Sequence, residues 1–240
     1  MKERADKVLA DRGLVASRSQ ANSLIKNGDV LCNGHIIKKA GELIDPDSEI
    51  TITAPLFVGR GAFKLEKALS HFNVQVKDKI CMDVGASTGG FTEILLREGA
   101  ARVYAIDVGH DQLAEKLRID TKVVNMEGTN IRDLHSLPEK IDGAVMDVSF
   151  ISITKVLQNI HELLIPEAFL IALIKPQFEA GKDRLPKDGV IKDPKMRELI
   201  LNEVVTFATR HGWLHHGTLD SPITGKTGNV EYICHFTKSS

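Results

Sequence analysis

The stretch DVGASTGGFT, residues 83–92, decides the fold. Ile80, Cys81 and Met82 lead into it as an apolar run that Val84 continues across Asp83, the pattern of a buried strand ending near an acid. Gly85, Gly89 and Gly90 supply backbone that can turn tightly and approach a ligand closely. A helix starting there offers unpaired N–H groups to an anion. A second apolar run, 103–106, ends on Asp107, about twenty residues on, where a carboxylate can hold ribose hydroxyls. The spacing G-x-x-x-G-G is not the G-x-G-x-x-G of a dinucleotide site with its pyrophosphate seat. The pattern suits S-adenosylmethionine better than a nicotinamide dinucleotide, with Asp83, Gly85, Ser87, Gly89, Gly90 and Asp107 as the candidate cofactor-binding residues.

Outward from this stretch, from Lys79 onward, strand-like and helix-like runs alternate: 80–84, 91–98, 103–107, 112–117, 122–125, 144–148, 153–164 and 169–174. That alternation predicts an α/β domain built on a parallel sheet with helices on both faces. The end of the chain differs. After a helix at 195–210, strands at 214–219 and 230–236 flank SPITGKTGN, which predicts a terminal hairpin with the last strand inserted antiparallel. Toward the N-terminus, helical periodicity at 4–12 places Ala5, Val8 and Leu9 on one stripe, and at 17–27 places Ala21, Leu24 and Ile25 on another. Ser17 is the expected N-cap of the second helix and Gly28 its end. Short strands at 30–33, 35–37 and 49–53 follow, the first two joined by an Asn33-Gly34 turn. The expected division is a small α+β domain at 1–54, a linker at 55–61 containing Pro55, Gly59 and Gly61, and the larger domain at 62–240.

Composition narrows the function classes. At 240 residues and 42% hydrophobic, the chain can bury a true core and is neither disordered nor fibrous. The net charge of -1 argues against coating nucleic acid by charge alone. Residues 1–41 nevertheless hold eight Lys or Arg against four acids, and a basic face on a small domain is an RNA footprint. Arg4, Arg18, Lys26 and Lys38 are its candidate contacts. Cys32, Cys81 and Cys234 are odd in number and widely spaced, which suggests neither a disulfide framework nor a zinc cluster and fits a reducing cytoplasm. His211, His215 and His216 lack companions at metal spacing, so no metal is expected. The polar start has no apolar leader, and no run reaches the roughly 18 apolar residues of a membrane span.

In an open α/β sheet the ligand lies outside the carboxyl ends of the strands. Asp147 follows Ala144-Val145-Met146 and Lys175 follows Ile171–Ile174, each a charge set directly after a buried run. Pro176 restricts the backbone of Lys175 and helps fix where its ammonium points. Methyl transfer from a sulfonium to an oxygen needs in-line approach and a nucleophile relieved of its proton, and alignment alone can supply ~7–11 kcal/mol. A lysine partly desolvated beside a second cation can act as base or steer a hydroxyl. Lys64 and Glu231 are the candidates to complete such a cluster. The loop at 178–192, with Lys182, Arg184, Lys187 and Lys192, could touch phosphates beside the target.

Taken together, RGAFKL (60–65), DVGASTGGFT (83–92), AIDVG (105–109), DVSFIS (147–152), IKPQFE (174–179) and GKTGNVEY (225–232) resemble the TlyA family of rRNA ribose methyltransferases, whose members are often labelled hemolysin A. The resemblance spans essentially the whole chain. It implies a Rossmann-like methyltransferase domain similar to the FtsJ-type RNA 2'-O-methyltransferases, whose catalytic Lys-Asp-Lys-Glu set maps onto Lys64, Asp147, Lys175 and Glu231. It also implies S-adenosylmethionine binding through Asp83, Gly85 and Asp107, with Asn130 near the adenine, and ribosomal RNA or a ribosomal subunit as partner. The N-terminal part resembles the α-L RNA-binding domain of a small-subunit ribosomal protein, through Arg4, Asp6, Leu9, Gly13, Ser17, Arg18, Ala21, Ile25, Gly28, Val30 and Asn33-Gly34. Two other readings are an RNA-binding adaptor with a vestigial cofactor site, and a membrane-lysing protein, for which no amphipathic or spanning segment is evident.

Overall fold

The computed structural model describes residues 2–15, 17–53, 56–181, 183–225 and 227–240. The chain forms two compact units, Met1–Val58 and Gly59–Ser240.

In the first unit, β1 (Glu3–Arg4) runs straight into α1 (Ala5–Asp11), followed by α2 (Arg18–Asn27), β2 (Val30–Cys32), β3 (His35–Ile36), β4 (Leu43–Ile44) and β5 (Ile50–Ile52). Ser17 caps α2 by accepting the Gln20 N–H at 3.2 Å, and Gly28 ends it in the left-handed region at φ 83°. Asn33 and Gly34 both have positive φ, 49° and 78°, which is the geometry of a type I′ hairpin turn between β2 and β3. The apolar stripes of α1 and α2 close over Val30, Ile37 and Ile44 as one core. The helix predicted from residue 4 begins at Ala5, because Arg4 is extended and pairs with Leu43 in an antiparallel β1–β4 ladder that local periodicity does not announce. Of the segment read as linker, Phe57 is buried and its carbonyl accepts from Gln20 Nε2 at 2.9 Å, while Pro55 lies outside the described residues.

The second unit contains α3 (Gly61–Phe72), β6 (Ile80–Val84), α4 (Gly90–Arg97), β7 (Arg102–Asp107), α5 (Glu115–Arg118), β8 (Val123–Glu127), β9 (Ile141–Met146), α6 (Leu157–Leu163), β10 (Leu164–Ile174), α7 (Pro176–Glu179), α8 (Pro194–Arg210), β11 (Trp213–Asp220) and β12 (Tyr232–Lys238). Among the described residues these build a seven-stranded sheet in the order β11-β12-β10-β9-β6-β7-β8. The strands from β10 to β8 are mutually parallel, and β12 lies antiparallel between β10 and β11, the inserted terminal hairpin that the chain's end predicts. Met82, Ala144, Met146, Leu170 and Ala172 sit in one core with Ile160, Val204 and Trp213.

Two elements differ from their periodicity. The helix expected at 112–117 is the single turn Glu115–Arg118, since the amides of Gln112 and Leu113 donate to the Glu127 carboxylate at 2.6 and 2.9 Å instead of entering a helix ladder. The run at 153–164 divides into a 3-10 turn, Ile153–Lys155, and α6, and β10 already begins at Leu164, with a register shift before Phe169 around Pro166 and Glu167.

Candidate active site

The sheet order moves outward from β6 through β7 to β8 and then returns to the other side of β6 with β9. The connections leaving β6 and β9 therefore part at their carboxyl ends, the place where open α/β sheets bind ligands. Gly85 stands at this point with φ 86°, and a Cβ there would lie 2.8 Å from the Asp147 carbonyl oxygen. Gly89 turns the chain into α4 at φ 94°, and a Cβ there would collide with Leu117 at 2.2 Å. These two positions need glycine on both counts, conformation and space.

Asp83 serves this turn differently from the sequence expectation. Its carboxylate is fully buried, accepts from Thr92 Oγ1 at 2.7 Å and from the Thr92 backbone, and leaves Oδ1 with no partner. The first turn of α4, predicted to offer free N–H groups to an anion, is thus partly satisfied by an acid of the chain itself. Burial, the largest influence, pushes the Asp83 carboxyl up to about 7, against the hydrogen bonds from Thr92 that favour its charge. Asp107, at the end of β7, accepts the Ser87 and Gly109 amides at 2.8 Å each and is only half-buried. Each of its oxygens retains a lone pair for a hydroxyl donor. Asn130 caps the 3-10 turn Ile131–Asp133 by accepting the Arg132 amide at 3.1 Å, and the neighbouring Thr129 amide donates to the Asp107 carbonyl at 2.9 Å. A glycine cradle, a half-buried carboxylate on the next strand and an orphaned buried acid oxygen fit a cationic nucleoside better than a polyphosphate.

Across the turn, the four remaining charges converge from α3, β9, β10 and the approach to β12. Lys64 lies on the buried face of α3 among Ala62, Leu65 and Ala68. Its Nζ donates to Glu231 Oε2 at 2.7 Å and to Asp147 Oδ2 at 3.3 Å. Lys175 Nζ is ion-paired to Asp147 Oδ1 at 2.5 Å and donates to Ser149 Oγ at 2.9 Å. Register brings these together: Val84 pairs with Met146 and Ile174 with Tyr232, so the residues just beyond each strand end share one mouth. Lys64, Lys175 and Glu231 are all buried, with relative exposures of 4%, 7% and 3%. Two cations and two carboxylates cancel formally, which is what permits their burial. Burial alone would raise the Asp147 carboxyl, but Lys175 and Lys64 outweigh it and hold the group below its ordinary range.

The loop that follows Asp147 holds side chains that the sequence reading passed over. Ser149 is a hydroxyl two residues from the acid, and the DVSF spacing is its only signal. Phe150 is 90% exposed in the left-handed region at φ 64°, and its ring centroid lies 5.1 Å from that of Phe178. Glu179 at the end of α7 accepts from Ser152 Oγ and, at 2.9 Å, from the Ile153 amide.

The residues expected to meet RNA fall into two groups. In the first unit, Arg4 and Arg18 both bind the buried Asp6, with closest contacts of 3.0 and 2.8 Å, and each keeps about half its side-chain surface exposed, 52% and 54%. Arg4, burial in opposition, and then Arg18 hold the Asp6 carboxyl well below the usual carboxylate range. Lys26, in the last turn of α2, and Lys38 are exposed. In the second unit, Arg184 is committed to Glu203 through two hydrogen bonds of 2.9 and 2.8 Å, while Lys182 lies outside the described residues.

Residues 57–238 match the model of the FtsJ-like methyltransferase family, and residues 3–50 match that of the S4 domain. The chain is 45% identical to the "Putative rRNA methyltransferase YqxC" of Bacillus subtilis, covering 98% of this chain and 85% of that protein. It is 41% identical to the "16S/23S rRNA (cytidine-2'-O)-methyltransferase TlyA" of Mycobacterium tuberculosis, over 96% and 88% of the two chains. Among solved structures, one described as a "Putative hemolysin from Streptococcus thermophilus" superposes with a TM-score of 0.77 at 40% identity, covering 100% of this chain and 89% of that one. The converging strand ends, the glycine turn and these matches have one conclusion: the chain belongs to the FtsJ-like methyltransferase family and carries an S4 domain at its N-terminus.

Proposed function

We propose that the protein transfers a methyl group from S-adenosylmethionine to a ribose 2'-hydroxyl of ribosomal RNA in the cytoplasm. The observation that carries this reading is the meeting of Lys64, Asp147, Lys175 and Glu231 at the same sheet end as the glycine turn. The relative named for cytidine 2'-O-methylation supports the ribose as acceptor. When bound, S-adenosylmethionine supplies an electrophilic methyl on a sulfonium. The Gly85 and Gly89 turn with Ser87 would cradle it, and Asp107 and Asn130 would be the residues to hold its ribose hydroxyls and its adenine. Asp83 acts from behind the turn, favouring a cation through its field and fixing the start of α4.

Lys175 Nζ, the ammonium held by Asp147, donates to the incoming 2'-oxygen and aims a lone pair of that oxygen at the methyl, while the hydroxyl proton is released to solvent as the methyl is transferred. Asp147 fixes that ammonium from one side and Ser149 from another, while Lys64 and Glu231 hold Asp147 in place. Alignment of this kind is worth up to ~7–11 kcal/mol, more than a single proton transfer contributes. The first unit, through Arg4, Arg18, Lys26 and Lys38, grips the RNA backbone and so selects a structured substrate. An adaptor with a vestigial site would have no reason to bury this many matched charges at a strand end. Among the described residues, no helix is long and apolar enough to cross a membrane, so nothing favours lysis by spanning helices.

The test is transfer of labelled methyl from S-adenosylmethionine to separated ribosomal subunits, followed by mapping of the modified nucleotide. Label on a 2'-oxygen is the expected result. Saturable RNA binding without cofactor uptake would overturn the reading in favour of the adaptor.

A further inference from the structure

The loop 147–152 carries Asp147, Ser149 and Phe150 past the site, and something must hold it there. Its first end is secured at the sheet, where the Asp147 amide donates to the Val84 carbonyl at 3.0 Å. In its middle, Phe150 sits at φ 64° with its side chain almost wholly in solvent. A bulky residue in that region is strained, and such a backbone persists only where its surroundings over-determine it. The far end is where Glu179 intervenes. It belongs to α7, which begins directly after Lys175, and it reaches back to accept from Ser152 Oγ and from the Ile153 amide at 2.9 Å. Ser152 already caps the 3-10 turn by accepting the Thr154 amide at 3.2 Å, so the turn has its own local cap without Glu179. The carboxylate adds a cross-link instead, between the segment leaving β10 and the segment leaving β9. Burial opposes its charge and raises the Glu179 carboxyl above its ordinary value, against the two hydrogen bonds it receives.

We propose that Glu179 is a positioning residue for methyl transfer, clasping the 147–152 loop to the Lys175 segment so that Ser149 Oγ meets Lys175 Nζ. This rests on the methyltransferase reading above. Both contacts that the clasp preserves lie inside it: the 2.9 Å Lys175–Ser149 bond and the ring contact between Phe150 and Phe178. Released at Ser152, the strained Phe150 backbone relaxes, Ser149 withdraws, and Lys175 Nζ keeps Asp147 but loses the second acceptor that fixes its direction. Glu179 touches neither substrate nor cofactor in this account and acts only through the loop.

The experiment uses the full chain with labelled S-adenosylmethionine and ribosomal subunits. Glu179→Ala should lower kcat by about 10- to 100-fold, the scale of a small misplacement of reacting groups, with cofactor Kd changed less than about two-fold. Glu179→Gln keeps an acceptor for the Ile153 amide and should retain most of the rate. Glu179→Asp keeps the charge but falls one methylene short, and should lose rate like the alanine variant; it also serves if the alanine variant does not fold. A double-mutant cycle with Ser149→Ala discriminates positioning from general support, because residues acting through one loop are non-additive. The pair should be no slower than the slower single variant. A wild-type kcat in Glu179→Asp, full additivity in the cycle, or cofactor affinity falling in step with kcat would each overturn the proposal. Wild-type protein that methylates neither subunit would instead overturn the methyltransferase reading itself.

Discussion

At the residue scale, the buried charges make opposite demands that solution measurements can separate. Asp83 has a folded pKa raised to about 7 from an ordinary 3.8, so the folded state holds its proton more tightly than the unfolded chain does. Its contribution to stability is fully present below the unfolded value and is lost as pH rises through about 7. Thermal melts of ligand-free protein should therefore show a fall in Tm across pH 4 to 7 that Asp83→Asn flattens; parallel curves for the two proteins would refute the assignment. Lys175→Ala should reduce kcat by about 10²- to 10⁴-fold with cofactor affinity nearly unchanged, measured by single-turnover transfer and by equilibrium binding. Lys64→Ala is a different case, since Lys64 is enclosed by Glu231 and Asp147. Removing it leaves buried carboxylates unpaired, at a cost of about 3–5 kcal/mol, so chemical denaturation should register this variant before any rate assay does. Asp83, Asp147 and Lys175 were legible in the sequence because each is a lone charge beside an apolar run. That Asp83 turns inward to Thr92 was not, because the direction of a side chain at a strand end depends on the helix packed beside it.

At the element scale, the turn from β6 into α4 has little tolerance. Gly85→Ala places a methyl 2.8 Å from the Asp147 carbonyl in a left-handed backbone, and the carbonyl is main chain that cannot swing aside. Cofactor binding should be lost and Tm lowered together, which calorimetric titration and a melt on the same sample would reveal; unchanged affinity would show that the turn can shift. Long elements were readable: α2 from its Ser17 cap to Gly28, and α8, expected at 195–210 and found at Pro194–Arg210. Short ones were not. The segment 112–117 has helical periodicity, but Glu127, distant in sequence, takes two of its amides. β1 and β4 are two residues each and exist only by pairing with one another, a long-range bond that no window of sequence contains.

At the scale of the whole molecule, the proposed function assigns RNA recognition to the S4 domain and chemistry to the methyltransferase domain. Arg18→Ala removes a contact to Asp6 as well as a surface cation, whereas Arg18→Lys keeps the cation. The alanine variant should raise the Michaelis constant for ribosomal RNA with kcat for bound substrate unchanged, and the salt slope of RNA binding should shallow as a phosphate contact is lost. A fall in kcat alone would remove this unit from substrate recognition. The fold class, the inserted last strand, the glycine turn and the charges Asp147 and Lys175 were determined by the sequence, because apolar periodicity, glycine and strand-end charge are local properties. Tertiary structure alone decided that Lys64 and Glu231, 167 positions apart, share a hydrogen bond, that Lys175 meets Ser149 and Glu179 meets Ser152 and the Ile153 amide, and that Arg184 is occupied by Glu203. Those outcomes depend on strand order and register, which are settled by how whole elements pack and not by any residue's neighbours in the chain.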